Sequence, residues 1–72
     1  MKLLELLALK MGCKYLSDLR RIPRPNDALR SETAQLPLDA FPAYEWLDAA
    51  DYLCDAKCQS AENARNTILE RA

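Results

Sequence analysis

Apolar side chains recur along the first segment of the chain at the spacing of an α-helix. Over residues 2–11 they follow the pattern i, i+1, i+4, i+5, i+8, which places them on one helical face. These residues are Leu3, Leu4, Leu7, Ala8 and Met11. Gly12 predicts the end of this helix, because glycine readily adopts the left-handed conformation that terminates helices. Leu6 and Leu9 fall on the far side, so we expect them to be buried by further elements or offered to a partner.

A second helix is predicted over residues 13–22, and a pair of prolines ends it. Its apolar face consists of Tyr15, Leu16, Leu19 and Ile22. Pro23 and Pro25 terminate the helix, since a proline within a helix loses a hydrogen bond and clashes with the preceding turn.

The next stretch has no sustained periodicity, and prolines punctuate it. All four prolines of the chain lie within residues 23–42, which predicts an irregular connection over residues 23–41. Long unstructured connections are uncommon inside compact domains, so we expect this one to pack through its apolar side chains. These are Leu29, Leu36, Leu38 and Phe41. A short helical turn around residues 27–32, with Asn26 as its cap, is compatible with the same residues.

Residues 42–56 carry the clearest amphipathic pattern, with apolar positions on one side and acids on the other. The apolar face consists of Ala43, Trp46, Leu47, Ala49, Ala50, Leu53 and Cys54. The acidic row consists of Glu45, Asp48, Asp51 and Asp55. We expect Asp39 to cap this helix, Pro42 to occupy its first turn and Trp46 to lie at the centre of the core.

The last segment predicts a helix over residues 61–71. A single helix running from residue 43 to the C-terminus is the alternative, because no Gly or Pro interrupts the segment. Two features favour a break near residues 57–60. Lys57 would fall within the apolar face of a continuous helix, and Ser60 followed by an acidic first turn is typical of a new helix start.

Composition sets the fold class. The chain has 72 residues, with thirteen Leu and eleven Ala but two Ile, no Val and one Gly. Strands and hairpins favour β-branched residues and glycine turns. We therefore predict one all-α domain spanning residues 1–72, a small bundle of three to four helices with a Pro-rich connecting segment.

The charges are divided unevenly along the chain. The net charge is −1, but residues 1–30 carry seven Lys/Arg against three Asp/Glu, and residues 31–72 carry three against eight. A protein that binds nucleic acid or a membrane surface is usually basic overall, so this balance argues against both classes. The asymmetry predicts attraction between the two halves, within one chain or between two.

Residue types limit the chemistry. The chain has no His, so it lacks an imidazole base or metal ligand. Cys13, Cys54 and Cys58 lack the second pair of ligands typical of structural zinc sites. No nucleophile–base pair is visible, so we predict no catalytic residues, metal or cofactor. The apolar run at residues 3–9 is too short to cross a membrane and does not resemble a signal peptide, which predicts a cytoplasmic protein with free thiols.

The first two predicted helices resemble the helix–turn–helix of DNA-binding proteins, over residues 8–24. The resemblance rests on Ala8, Gly12, Leu16 and Leu19, with the glycine in the turn between two crossed helices. It implies that the second helix faces the major groove, with Arg20 and Arg24 near phosphates. A plain αα-corner explains the same residues, because the second helix has barely two turns and carries Asp18 at its centre.

The acidic row has two interpretations as well. It is typical of the solvated side of an amphipathic helix. Because Tyr44 and Tyr52 flank it at helical spacing, it also suits a docking surface for a basic partner.

We therefore predict a small, non-catalytic, cytoplasmic protein-interaction module that binds another protein or itself. The candidate binding surface consists of Leu6, Leu9, Arg20, Arg21, Arg24 and Arg30. The alternative is a nucleic-acid-binding domain that uses residues 8–24. Whether the arginines face outward or pair with the acidic half of the chain stays open at this point.

Overall fold

The structure is a computed structural model that describes all 72 residues. It is all-helical, which confirms the predicted fold class, but it has five α-helices instead of three or four. The helices are α1 (Leu3–Lys10), α2 (Leu16–Arg21), α3 (Asp27–Ala34), α4 (Ala43–Cys54) and α5 (Ala61–Arg71), with a short 3₁₀ turn at Leu38–Ala40. None of them is long and apolar enough to cross a membrane.

Trp46 lies at the centre of the core, as predicted, and is fully buried. Its ring meets Phe41 edge to face, with 6.4 Å between ring centroids. The indole Nε1–H donates a hydrogen bond of 2.9 Å to the backbone carbonyl of Leu38. The 3₁₀ turn therefore closes over the tryptophan and satisfies its one polar group, which a buried indole requires.

The most extensive helix pair is α4 with α5. Small residues on both helices are fully buried where they meet, among them Ala49, Ala50 and Ala64. Their small side chains let the two helices approach closely, and Ile68 of α5 belongs to the same buried cluster. This pair forms the base on which α1, α2 and α3 are packed.

The additional helix is α3, which lies in the segment predicted to be irregular. Asn26 caps it, because its side chain accepts a hydrogen bond of 2.9 Å from the backbone N–H of Leu29. Leu29 and Thr33 are buried on its inner face. The Thr33 hydroxyl donates to the Leu29 carbonyl at 2.8 Å, so this buried polar group is satisfied within the helix. Local capping and two buried side chains thus sustain a helix between the prolines.

The second predicted helix begins three residues later than expected, at Leu16, and the third ends two residues earlier, at Cys54. Residues 13–15 belong to the turn before α2, and the Asp18 carboxylate accepts a hydrogen bond of 3.2 Å from the backbone N–H of Tyr15 at the helix start. The prediction that Asp39 caps α4 is wrong, because Asp39 lies in the 3₁₀ turn. Pro42 occupies the cap position and has no N–H that would need a partner.

α4 and α5 are separate helices, and the break predicted at residues 57–60 begins at Asp55. Asp55 has a left-handed backbone, with φ of 52°, and this conformation ends α4. Ser60 then caps α5, since its hydroxyl accepts a hydrogen bond of 3.1 Å from the backbone N–H of Asn63.

Arginine side chains satisfy backbone carbonyls at the C-terminal ends of three helices. Arg65 donates to the carbonyls of Ala34 at 2.9 Å and of Leu36 at 3.2 Å, at the end of α3. Three further arginines make the same kind of contact, namely Arg24 to Leu53, Arg71 to Cys54 and Arg30 to Leu69. The last carbonyls of a helix have no partner within the helix and carry partial negative charge, which is why a guanidinium stabilises them.

Candidate docking groove

An open groove of about 790 Å³ lies between α1, the start of α2 and the first half of α4. Its lining includes the buried residues Leu3 and Ala8. Four large apolar side chains that also line it are exposed to solvent: Met1 at 79%, Leu9 and Tyr44 at 63% and 61%, and Leu16 at 39%. The groove thus combines an apolar floor with apolar side chains that project from its walls.

The end of α1 positions one wall of the groove. Gly12 has a φ of +71°, as its predicted place at a left-handed helix end requires. The backbone N–H of Cys13 donates to the carbonyl of Ala8 at 2.8 Å, and that of Gly12 donates to the carbonyl of Leu9 at 3.1 Å. These two bonds form a Schellman motif, which ends α1 and turns the chain toward α2. Leu9 before this turn and Leu16 after it both line the groove.

A hydrogen bond between distant segments holds the opposite wall. The Glu45 carboxylate on α4 accepts a bond of 2.7 Å from the backbone N–H of Leu3, in the first turn of α1. On α1 itself, the Glu5 carboxylate accepts a bond of 3.1 Å from the backbone N–H of Lys2. Both carboxylates in this part of the groove are therefore used to bind the free N–H groups of a helix start.

Charged side chains of both signs line the groove without an ion-pair partner in the chain. The three ion pairs of the molecule are Arg20–Asp55, Arg30–Asp27 and Lys57–Asp51. Lys14 and Asp48, which both line the groove and are exposed, belong to none of them. The Lys14 ammonium lies over the Tyr15 ring, 5.5 Å from its centroid. These two charges are available to a bound partner.

The structure separates the two leucines that the sequence analysis placed on one surface. Leu9 lines the groove and is well exposed. Leu6 is half-buried and does not line the groove.

The four candidate arginines do not form one surface. The Arg20 guanidinium pairs with Asp55 at 3.6 Å and lies 5.2 Å from the centroid of the Tyr52 ring. Arg24 and Arg30 bind the helix-end carbonyls described above, and two guanidinium nitrogens of Arg24, Nε and Nη2, are buried without a partner. Arg21 alone is exposed and makes no hydrogen bond or ion pair. One ion pair, Arg20–Asp55, joins the basic half of the chain to the acidic half.

Sequence reasoning missed Leu16 as a surface residue. Its helical spacing with Leu19 places both on one apolar face, but Leu19 is fully buried and Leu16 is exposed. Leu16 is the first residue of α2 and Leu19 lies one turn further on, and Leu19 is the one residue of the helix that is buried. Tyr44 was expected at an interface from its position beside the acidic row, and it does line the groove.

The acidic row borders a second, more polar recess of about 440 Å³. Asp48, Asp51 and Asp55 line it, together with Arg20 and Tyr52. Two of the three carboxylates are already paired, Asp51 with Lys57 and Asp55 with Arg20. No group of three or more Cys, Asp or Glu side chains is placed to hold a metal ion.

The three thiols are free. Burial raises the pKa of the Cys54 thiol above its usual 9.0, although the nearby positive charges of Arg24 and Arg71 act in the opposite direction. Cys54 is therefore protonated at neutral pH and is a weak nucleophile. The Cys58 thiol lies 3.6 Å from the Thr67 hydroxyl.

Comparisons with protein families, with curated proteins and with solved structures found no match for this chain.

Proposed function

We propose that this chain is a small, non-catalytic protein-interaction module that binds its partner in the groove between α1, α2 and α4. The observation that carries the proposal is the distribution of exposed apolar side chains. Six large ones are exposed on the whole molecule, and four of them line this groove: Met1, Leu9, Leu16 and Tyr44. Apolar side chains clustered on one face are typical of a binding surface, whereas single scattered ones are not.

The composition of the groove supports the same proposal. The centre of a protein interface is apolar and aromatic, and polar groups surround it. Leu9 and Tyr44 provide large side chains whose burial would stabilise a complex, and Lys14 and Asp48 provide charges at the edge. The module would act in the reducing cytoplasm, a compartment in which its three free cysteines persist as thiols.

Site-specific photo-crosslinking tests this proposal. A photoreactive benzoylphenylalanine at position 44 replaces an exposed aromatic ring and leaves the core intact. The same probe at position 38 is the control, because Leu38 is also exposed but does not line the groove. We expect irradiation in living cells to give one defined adduct from position 44 that Leu16→Lys abolishes. Equal labelling from positions 44 and 38 would contradict the proposal.

The nucleic-acid alternative has less support from the geometry. A DNA-binding surface needs several cations that are free to meet phosphates. Arg20, Arg24 and Arg30 each bind groups of the chain itself, and only Arg21 is free among the four. The groove also carries acidic side chains, which an anionic duplex would repel.

A further inference from the structure

We infer that the occupant of the groove is a second copy of this chain, bound through a two-fold axis. The inference rests on the proposed function and names the partner of the same surface. In a two-fold interface one patch must complement itself, so it needs projections and recesses together. The groove has both, because Leu9 and Tyr44 project from its walls while Leu3 and Ala8 lie at its floor.

The charges of the groove are self-complementary as well. Lys14 precedes α2 and Asp48 lies on α4, so the two charges belong to different walls. Neither has an ion-pair partner within the chain. A two-fold axis that passes between Lys14 and Asp48 would bring Lys14 of each copy opposite Asp48 of the other and so form two identical pairs. A partner of one charge sign would leave one of these two residues opposed by a like charge.

The size of the molecule favours the same occupant. Only 13 of the 72 residues are buried, and chains this short bury a smaller share of their surface than larger domains do. A standard interface covers about 800 Å² on each partner, which is roughly a sixth of the 4521 Å² exposed by one copy. A second copy would extend the small core across the groove.

Sedimentation equilibrium measures the mass of the protein in solution and so tests for a dimer directly. We expect the wild-type mass to approach twice the 8.2 kDa of the chain as concentration rises. Leu9→Lys should weaken the dimer by roughly 100-fold or more, because each substitution occurs twice in a two-fold interface. Leu38→Lys, which changes an exposed leucine outside the groove, should leave the dimer unchanged.

Exchanging the charges at positions 14 and 48 tests whether Lys14 of one copy faces Asp48 of the other in the dimer. Lys14→Asp places a carboxylate opposite Asp48 of the partner, and Asp48→Lys places an ammonium opposite Lys14. Each variant alone should dimerise about tenfold more weakly or worse. When the two variants are mixed, both pairs become attractive again, so a heterodimer should form with near wild-type affinity. Heterodimer formation also shows that both variants are folded.

The possible results separate this inference from the proposed function. A wild-type chain that stays monomeric up to millimolar concentration overturns the second copy as occupant. The proposed function then still stands if the adduct from position 44 contains a different protein and is lost in Leu16→Lys. A dimer that Leu9→Lys and both charge variants leave unchanged forms through another surface, and it overturns the inference equally.

Discussion

The Glu45 side chain and the backbone N–H of Leu3, which are 42 residues apart in the chain, are joined by a hydrogen bond of 2.7 Å. An N–H in the first turn of a helix has no partner inside that helix. Glu45 supplies the partner from α4 and so fixes the start of α1 against it. Because both residues line the groove, this bond helps to set the distance between two of its walls.

Replacing Glu45 should therefore destabilise the fold. Glu45→Ala leaves the Leu3 N–H unpaired, and we expect a loss of about 1.5–3 kcal/mol in the free energy of unfolding. Glu45→Gln keeps an oxygen acceptor and should lose roughly half as much. Urea unfolding followed by circular dichroism measures both. Glu70→Ala, which removes an exposed carboxylate without a hydrogen bond, is the control, and an equal loss in that variant would contradict the assignment.

The turn after α1 depends on Gly12. A side chain at a positive φ approaches its own backbone too closely, so Gly12→Ala should reduce stability by about 1–2 kcal/mol. Nothing else lies within 4 Å of the position where its Cβ would stand, so the loss should come from the backbone conformation alone. Gly12→Asn should lose less, because asparagine tolerates the left-handed region better. Equal losses in the two variants, measured by thermal unfolding, would exclude this explanation.

Arg65 should stabilise the end of α3 through its two hydrogen bonds. We expect Arg65→Ala to lower the free energy of unfolding by about 1–3 kcal/mol, since a charged donor is lost and two carbonyls become unpaired. Arg65→Lys should recover only part of this loss, because the ammonium keeps the positive charge but cannot reproduce the geometry of a guanidinium. Arg21→Ala removes a free arginine and should change stability little. Chemical unfolding of the three variants at equal protein concentration measures these differences in the free energy of unfolding.

The half-buried thiol of Cys54 predicts a loss of stability at alkaline pH. Its pKa is raised in the folded state above the 9.0 of an unfolded thiol. The protonated thiol therefore contributes its full share to the free energy of unfolding below pH 9.0. This share declines as the pH rises from 9.0 toward the folded-state pKa. Other groups also titrate in this range, so the comparison is between wild type and Cys54→Ala. We expect the difference in unfolding free energy between them to shrink from neutral to alkaline pH, and a constant difference would refute the prediction.

Duplex DNA should not bind to the protein, if the groove is the functional surface. Fluorescence anisotropy of a labelled random duplex at low salt measures this, since even non-specific attraction is strong under those conditions. Binding with a log–log salt slope of about −0.9 per phosphate contact, reduced by Arg21→Ala, would favour the nucleic-acid alternative instead.

The sequence by itself determined the features that depend on neighbouring residues. Asn26, Ser60 and Gly12 were recognised as helix boundaries because each acts on backbone groups within a few positions along the chain. The predicted bounds of α5 agree with the structure for the same reason, and the leucine- and alanine-rich composition was sufficient to predict an all-helical fold. Trp46 was placed in the core by the periodicity of a single helix.

Only the tertiary structure decided which parts of those helices remain uncovered. Leu16 and Leu19 share one helical face in the sequence pattern, but the packing of α2 buries one and exposes the other. The arginines likewise offered a phosphate-binding surface in the sequence, and the fold directs Arg24 and Arg30 to carbonyl oxygens that are 29 and 39 residues away. Periodicity describes the faces of one helix, whereas exposure and polar partners depend on how helices far apart in the chain are arranged in space.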